Sequence, residues 1–342
     1  MTINTSRGRV ITEARRAAAV DVDAALKNCE KLYGVGAVMR LDDSSTMDVD
    51  VVPTGIASLD YDVLKVGGIP LGRIVEVFGP EAAGKTSLCS EIVAAFQRAG
   101  FIAAFIDAEH AYDPEYARLL GVDTSKLLVS QPDNGEQALE ITETLCESGV
   151  VGIIVVDSVA ALVPKAEIDG TLTDNKAGLG SHARLMSSAL RRLSGVAKRN
   201  NVTIVFINQI RHKIGVTFGS SETTTGGRAL RFYASVRLDI RRIGAIKASA
   251  AKDAEIVGSR VRIKAVKLKV APPFGKCELD LRFAFGLDAV GDIFDMAVAS
   301  EAVEQSGAWY SFEGERLGQG REKVLAMLRE SDELVNLIKA AL

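Results

Sequence analysis

The sequence predicts an α/β fold with a mostly parallel twisted sheet, preceded by a helical segment and followed by a small α+β domain. Three observations carry that prediction. Residues 79 to 86, Gly79-Pro80-Glu81-Ala82-Ala83-Gly84-Lys85-Thr86, match the phosphate-loop pattern G-x-x-x-x-G-K-[ST] at every fixed position. Apolar runs of strand length alternate with helical periodicities through the centre of the chain, as in a parallel sheet covered by helices on both faces. From Asp288 onward the alternation gives way to helices around a hairpin-like Trp309-Tyr310-Ser311-Phe312-Glu313-Gly314-Glu315-Arg316-Leu317.

The composition narrows the class. With 47% hydrophobic and 25% charged residues, the 342-residue chain reads as an ordinary globular protein of about two domains. A net charge of −3 leaves any nucleic-acid contact to local basic patches. Cys29, Cys89, Cys146 and Cys277 contain no C-x-x-C, which suggests neither a zinc site nor a disulfide framework and fits a reducing cytosol. No apolar run reaches membrane-span length and the N-terminus lacks a signal-peptide core, so the expected location is cytoplasmic.

In chain order, residues 1 to 20 carry Arg7, Arg9, Arg15 and Arg16 against the single acid Glu13, a basic arm or a solvated tail. From Asp21, Val22, Ala25, Leu26, Cys29, Leu32 and Tyr33 recur at helical spacing up to Gly34. That apolar stripe fits either the chain's own core or another subunit. Ile74-Val75-Glu76-Val77-Phe78 reads as a buried strand, and Leu88, Ile92, Ala95, Phe96 and Ala99 as a helix ending at Gly100. Between them the phosphate loop aims backbone N–H groups and a positive helix end at one point. There Lys85 is expected to reach the β- and γ-phosphates of a nucleotide, and Thr86 to hold Mg²⁺.

Further strands are expected at 102–107, 127–130, 152–157 and 203–208. Their ends carry the chemistry: Asp107 and Glu109 after one, Asp157 after another, Asn208 and Gln209 after a third. Polar side chains thus gather just outside the carboxyl ends of the strands, where such sheets bind ligands. Asp157 fits the acid that orients Mg²⁺ through its water shell. Glu109, two residues past a strand end, fits the general base for an attacking water. Gln209, read as the first residue of a loop, is placed to sense a γ-phosphate.

The segment 210 to 228 combines Gly215, Gly219, Gly226 and Gly227 with the cations Arg211, Lys213 and Arg228 and the apolar Ile214, Val216 and Phe218. Cations for a backbone and apolar surfaces for bases are what a single-strand binder needs; a lid packed on the protein is the alternative. A second loop, 169 to 180, precedes a helical run from Arg184 to Lys198. In the strand 261 to 270, alternation puts Arg262 and Lys264 on one face and Lys267 and Lys269 on the other, unless a bulge near Ala265 resets the phase.

Together these residues resemble the bacterial RecA recombinase family from about Ala24 to Gly320. The resemblance rests on the phosphate loop, on 105–111, on 155–162, on Phe206-Ile207-Asn208-Gln209-Ile210-Arg211, on Glu222-Thr223-Thr224-Thr225-Gly226-Gly227 and on Gly307-Ala308-Trp309-Tyr310-Ser311. It implies a RecA-like ATPase core that forms helical filaments on single-stranded DNA, uses ATP with Mg²⁺, pairs the strand with homologous duplex and exchanges strands. It also implies stimulated self-cleavage of a LexA-type repressor.

By the same resemblance, Glu109 is the catalytic base, Gln209 the ATP sensor, Ser87 part of the nucleotide site, and Asp113 and Tyr116 the adenine contacts. Lys267 and Lys269 act on the γ-phosphate across the subunit interface. Ile214 is a wedge between base triplets and Phe218 an effector-sensitive hinge. Leu179 in the first DNA loop and Arg184 in the helical run after it are DNA contacts, while Arg241, Arg242, Arg262 and Lys264 form a second DNA site. Phe232 and the helix at 21 to 33 are subunit contacts.

The implied organisation is 1–50 for the arm and docking helix, 51–287 for the ATPase core with DNA loops 169–180 and 210–228, and 288–342 for the C-terminal domain. Departures from the family pattern are a first DNA loop about two residues longer, an extended hairpin at 247–257, Leu281 to Gly286 in place of a segment with a Tyr and two glycines, and a C-terminus without an acidic tail. The last leads to the expectation of less restrained duplex uptake. The altered first loop and the missing tail keep a second reading open, a filament-forming regulator that promotes repressor cleavage but exchanges strands weakly. A hexameric helicase on the same core is a third.

Overall fold

A computed structural model describes residues 22–34, 37–38, 49–170, 180–212, 221–249, 251 and 253–342. Leu179, Lys213, Ile214 and Phe218, residues 171–179 and 213–220 of the two expected DNA loops, and the basic arm lie outside the described residues. The chain divides into two units, 1–49 and 50–342. In the first, α1 (Val22–Tyr33) begins one residue after the expected cap, with Asp23 in its first turn and Lys31 in its last, as the helix dipole favours. None of its residues is buried.

The second unit opens on a small two-stranded ribbon, β1 (Val51–Val52) with β2 (Ile69–Pro70). Then come β3 (Ile74–Gly79), α2 (Lys85–Arg98), β4 (Ile102–Asp107), α3 (Pro114–Leu119), β5 (Leu127–Ser130), α4 (Gly135–Glu147), β6 (Val151–Asp157), α5 (Lys165–Ile168), α6 (Ser181–Arg199) and β7 (Thr203–His212). The run continues with β8 (Glu222–Thr224), α7 (Ala229–Tyr233), β9 (Val236–Lys247), β10 (Ile256–Leu268), β11 (Lys276–Arg282) and β12 (Gly286–Leu287). Among the described residues these strands build one ten-stranded sheet in the order β12-β11-β10-β9-β3-β7-β6-β4-β5, with β8 added to β7. From β9 to β5 all pairs are parallel; β10 to β12 continue the sheet antiparallel.

The parallel strands are apolar at successive residues because both faces are covered. Val75, Val77, Val155, Val205 and Ile207 pack on one side with Leu88, Ile92 and Phe96 of α2. Ile74, Ile154, Val156, Ile204 and Phe206 pack on the other with Leu139 of α4 and with Met186, Leu190 and Leu193 of α6. The route from β3 to β4 passes over β7 and β6, so the carboxyl ends of these strands form the crevice in which such sheets take ligands.

A third core lies beyond β12, among Phe294 of α8 (Ala289–Ala299), Val303 of β13 (Val303–Ser306), Phe312 of β14 (Trp309–Phe312), and Val324, Leu325 and Leu328 of α9 (Arg321–Arg329). With β15 (Glu315–Gln319) and α10 (Asp332–Ala340), this is the expected mixture of hairpin and helices. Arg321 reaches Asp280 of β11 at 3.4 Å and Asp295 of α8 at 2.8 Å, and Asp292 accepts the Ser58 N–H at 2.8 Å. An ion pair thus joins this part to the large sheet, and a backbone hydrogen bond joins it to the segment between β1 and β2.

Two expectations about strands change. β7 does not stop at Asn208 but runs on to His212, because Ile210, Arg211 and His212 pair antiparallel with Thr224, Thr223 and Glu222. In β10 the register with β9 shifts between Ala265 and Lys267. That bulge resets the phase: Val261, Ile263, Ala265 and Leu268 all enter one core cluster. Arg262, Lys264 and Lys267 pair with Arg241, Asp239 and Arg237, which share one parity, so the three cations occupy one face and not two.

Glu91 of α2 sits against β12, where its Oε1 accepts the Leu287 N–H at 2.6 Å. Burial pushes its carboxyl from 4.5 up to about 8. A folded-state value above the unfolded one gives stability that is fully present below about pH 4.5 and lost as pH rises to about 8. Glu91→Gln should therefore flatten the pH dependence of unfolding. The variant is expected to gain on the parent by roughly 1 kcal/mol per pH unit across that window, read as denaturant midpoints at pH 5, 6.5 and 8.

Candidate functional site

The phosphate loop joins β3 to α2. Gly84 has φ +90°, a left-handed conformation that favours glycine, and it turns the chain into α2 at Lys85. Lys85 donates from Nζ to the Pro80 carbonyl at 2.7 Å, which folds its ammonium back over the loop. Burial lowers its pKa, against the opposing charges of Asp157 and Glu109. Thr86 Oγ1 donates to Asp157 Oδ2 at 2.9 Å, bringing the first turn of α2 to the end of β6.

Around that contact the strand ends converge. Glu109 Oε1 accepts from the Ser158 hydroxyl and, at 3.0 Å, from Gln209 Nε2. Asp107 accepts the N–H groups of Ala111 and Tyr112 and the amide of Gln131, so it shapes the turn that carries Glu109. Asp157 is pushed up to about 6, chiefly by burial and then by the charges of Glu109 and Asp107. Asp157 is a buried acid held above its ordinary range, hydrogen-bonded to the exposed Thr86 hydroxyl at the mouth of the loop, and a divalent cation there offsets the cost of its burial, so Thr86 and Asp157 fit Mg²⁺. Among the described residues no cluster of three His, Cys, Asp or Glu side chains offers a metal cage, which leaves phosphate oxygens and water to complete such a shell.

A cleft of about 630 Å³ is lined by Pro80, Glu81, Ala82, Lys85 and Thr86 of the phosphate loop, by Glu109, Asp157 and Ser158, and by Gln209, Arg211, His212 and Glu222. One cavity wall therefore consists of both arms of the segment expected to meet DNA. Behind the loop a shallower cleft of about 260 Å³ runs past Ala83, Gly84 and Ser87 to Tyr116, Ser259 and Phe283. The Tyr116 hydroxyl is 3.2 Å from Ser87 Oγ. Asp113 caps α3, with Oδ1 accepting the Glu115 and Tyr116 N–H groups at 2.9 and 3.1 Å.

Gln209 is wired to the hairpin. Its N–H donates to Asn208 Oδ1 at 2.9 Å. The same oxygen takes the Thr225 hydroxyl, and Asn208 Nδ2 donates to the Thr225 carbonyl at 3.2 Å and to Glu76 Oε1 at 2.9 Å. Glu76, fully buried in β3, also pairs with Arg237, whose guanidinium lies 4.6 Å from the Phe78 ring centroid. Sequence reasoning passed over Glu76 and Ser158. A single charge between Val75 and Val77 in a buried strand was the available signal for Glu76; Ser158 gave none.

The remaining cations are spread out. Arg184, Arg211, Arg228, Arg242, Arg262 and Lys264 are exposed. Arg241 is engaged by Glu222 at 2.6 and 2.9 Å and by Asp239 at 3.0 Å, so a phosphate would compete with two carboxylates for it. Lys267 and Lys269 do not line the cleft; their ammonium groups donate to the Phe232 carbonyl at 2.9 and 3.1 Å, at the end of α7. Burial, with Lys269 and Arg237 nearby, brings Lys267 down to about 8. Phe232 itself is 70% exposed.

Comparison with known proteins adds the family. A model described as the RecA N-terminal domain matches residues 20–288, and one described as the RecA C-terminal domain matches residues 291–342. The chain is 54% identical over 319 residues to the protein RecA of Chloroherpeton thalassium, covering 93% of this chain and 87% of that one. It is 55% identical over 319 residues to that of Geobacter sulfurreducens, covering 93% and 92%. With the protein RecA of Acidothermus cellulolyticus it shares 53% identity over 327 residues, covering 94% and 93%.

Proposed function

Because the chain belongs to the RecA family, we propose that Gln209 reads the ATP bound in its cleft and sets the posture of segment 210–228, which meets single-stranded DNA. The protein is a DNA-dependent ATPase of homologous recombination and repair; it uses ATP with Mg²⁺, and its partners are single-stranded DNA, duplex DNA and further copies of itself. The observation that carries the residue-level reading is the shared cleft: phosphate loop, Glu109, Asp157 and both arms of the β7–β8 hairpin line one cavity.

In that cleft the loop N–H groups and Lys85 take the phosphates, and Thr86 and Asp157 hold Mg²⁺, which neutralises phosphate charge. Glu109 is the base. Ser158 and Gln209 both donate to its Oε1, which orients the carboxylate towards an attacking water. Tyr116, Asp113 and Ser87 take the adenine and ribose end. Lys267 and Lys269, outside their own cleft, act on the nucleotide of a neighbouring copy, and α1 docks on that copy through its apolar stripe. Arg184, Arg211, Arg228, Arg242, Arg262 and Lys264 serve DNA phosphates, joined by Leu179, Lys213, Ile214 and Phe218.

The division at 1–50, 51–287 and 288–342, strand exchange, a LexA-type repressor as client and a cytoplasmic location belong to the same reading and rest on the family. Among the described residues no helix is long and apolar enough to cross a membrane. ATPase rate with and without single-stranded DNA, followed by joint-molecule formation with homologous duplex, tests this reading. The rate should rise severalfold with the strand, and the strand affinity should fall steeply with salt. Equal rates overturn it; repressor cleavage without joint molecules favours the regulator over the recombinase.

A further inference from the structure

Glu91 stands four residues after Ser87, and so on the same face of α2 as that residue of the cleft assigned to the base. Its partner is the turn between β11 and β12. Leu281 pairs with Leu287 and Arg282 with Gly286, which leaves Phe283, Ala284 and Phe285 at the tip. Phe283 lines the cleft beside Tyr116 and Ser87, and it is half exposed.

The contact is tight on both sides. Leu287 N–H donates to Glu91 Oε1 at 2.6 Å. Gly286 has φ +85°, and a Cβ there would meet Glu91 Oε1 at 2.2 Å and Leu120 Cδ2 at 2.6 Å. On its far side the turn is held by Arg329 of α9, which lies 5.2 Å from the Phe285 ring centroid.

We propose that Glu91 is a positioning residue for ATP: by gripping the backbone at Gly286 and Leu287 it holds Phe283 against the base end of the cleft. Burial keeps the carboxyl protonated at neutral pH, so the grip is that of a neutral acid and adds no charge beside the nucleotide. The inference rests on the assignment of the Tyr116 side to the base. It differs from a purely structural role in one respect: loosening the turn weakens binding of the base and ribose and leaves the triphosphate contacts alone.

The test uses the full chain with single-stranded DNA. Glu91→Ala should raise the KM for ATP about fivefold, as loss of one ordering hydrogen bond implies, with kcat at saturating ATP little changed. Glu91→Gln, whose amide oxygen can accept the same N–H, should restore the parental KM. Inorganic tripolyphosphate, used as a competitive inhibitor, should bind parent and Glu91→Ala equally.

If Glu91→Ala does not fold, Gly286→Ala carries the test, since its methyl group pushes the turn off the same carboxyl and should give the same ATP-selective loss. An unchanged KM for ATP in the folded variant, or an equal loss for tripolyphosphate, overturns the proposal. Absence of DNA-stimulated hydrolysis in the parent would instead overturn the functional reading on which it rests.

Discussion

Glu109→Gln should bind ATP with near-parental affinity yet hydrolyse it about 10²–10³-fold more slowly in the presence of single-stranded DNA, within the usual range for losing a general base. The amide keeps the shape of the carboxylate and can still meet Ser158 and Gln209, so the cleft wall stays in place. What it loses is a site for the proton of the attacking water. Single-turnover hydrolysis, alongside equilibrium binding of a fluorescent ATP analogue, separates the two quantities. Parental turnover in the variant would remove Glu109 from the mechanism.

Lys85→Ala should abolish turnover, with a loss of more than about 10³-fold expected from removing a preorganised cation from a phosphoryl-transfer site. Lys85 is the cation whose charge acts on both Asp157 and Glu109, so its removal takes away the phosphate contact and leaves those carboxylates less compensated. Lys85→Arg, which keeps the charge on a longer planar group, should recover little, since the ammonium is folded onto the Pro80 carbonyl within a tight loop. Hydrolysis in Lys85→Ala within about tenfold of the parent would contradict the assignment.

Local patterns made the ATPase half of the molecule legible. A glycine-rich turn between a strand and a helix, and acids one or two residues past apolar runs, are encoded within a few positions, and Lys85, Thr86, Glu109, Asp157 and Gln209 meet in one cleft. Pairing between distant segments was not legible. The extension of β7 to His212 depends on residues 222–224, and no periodicity within 209–212 announces a partner across a glycine-rich gap. The bulge after Ala265 is likewise a property of β10 against β9; read alone, the alternation of Val261 to Val270 gives the wrong face for Lys267.

At Arg241, which the resemblance assigns to a second DNA site, Glu222 and Asp239 engage the guanidinium, a pairing between strands that its position in the sequence does not show. Glu76 lies within the β3 run itself, yet its reason for being there is Asn208 on β7 and Arg237 on β9. Buried polar groups need partners, and here the partners come from neighbouring strands far away in sequence.

On the proposed reading, coupling between the nucleotide and the segment 210–228 passes through few atoms. Gln209 touches Glu109 on the cleft side, and its backbone and that of Thr225 are tied by Asn208 on the hairpin side. Binding energies coupled in this way are reciprocal, so ATP should tighten the strand as much as the strand tightens ATP. The measurement that bears on it most directly is the affinity of the full-length protein for a fluorescent oligonucleotide, with and without a non-hydrolysable ATP analogue, in the parent and in Gln209→Ala. The parent should bind the strand more tightly with the analogue, while Gln209→Ala binds the analogue normally and gains nothing from it. A variant that keeps the full nucleotide-dependent gain would contradict the account.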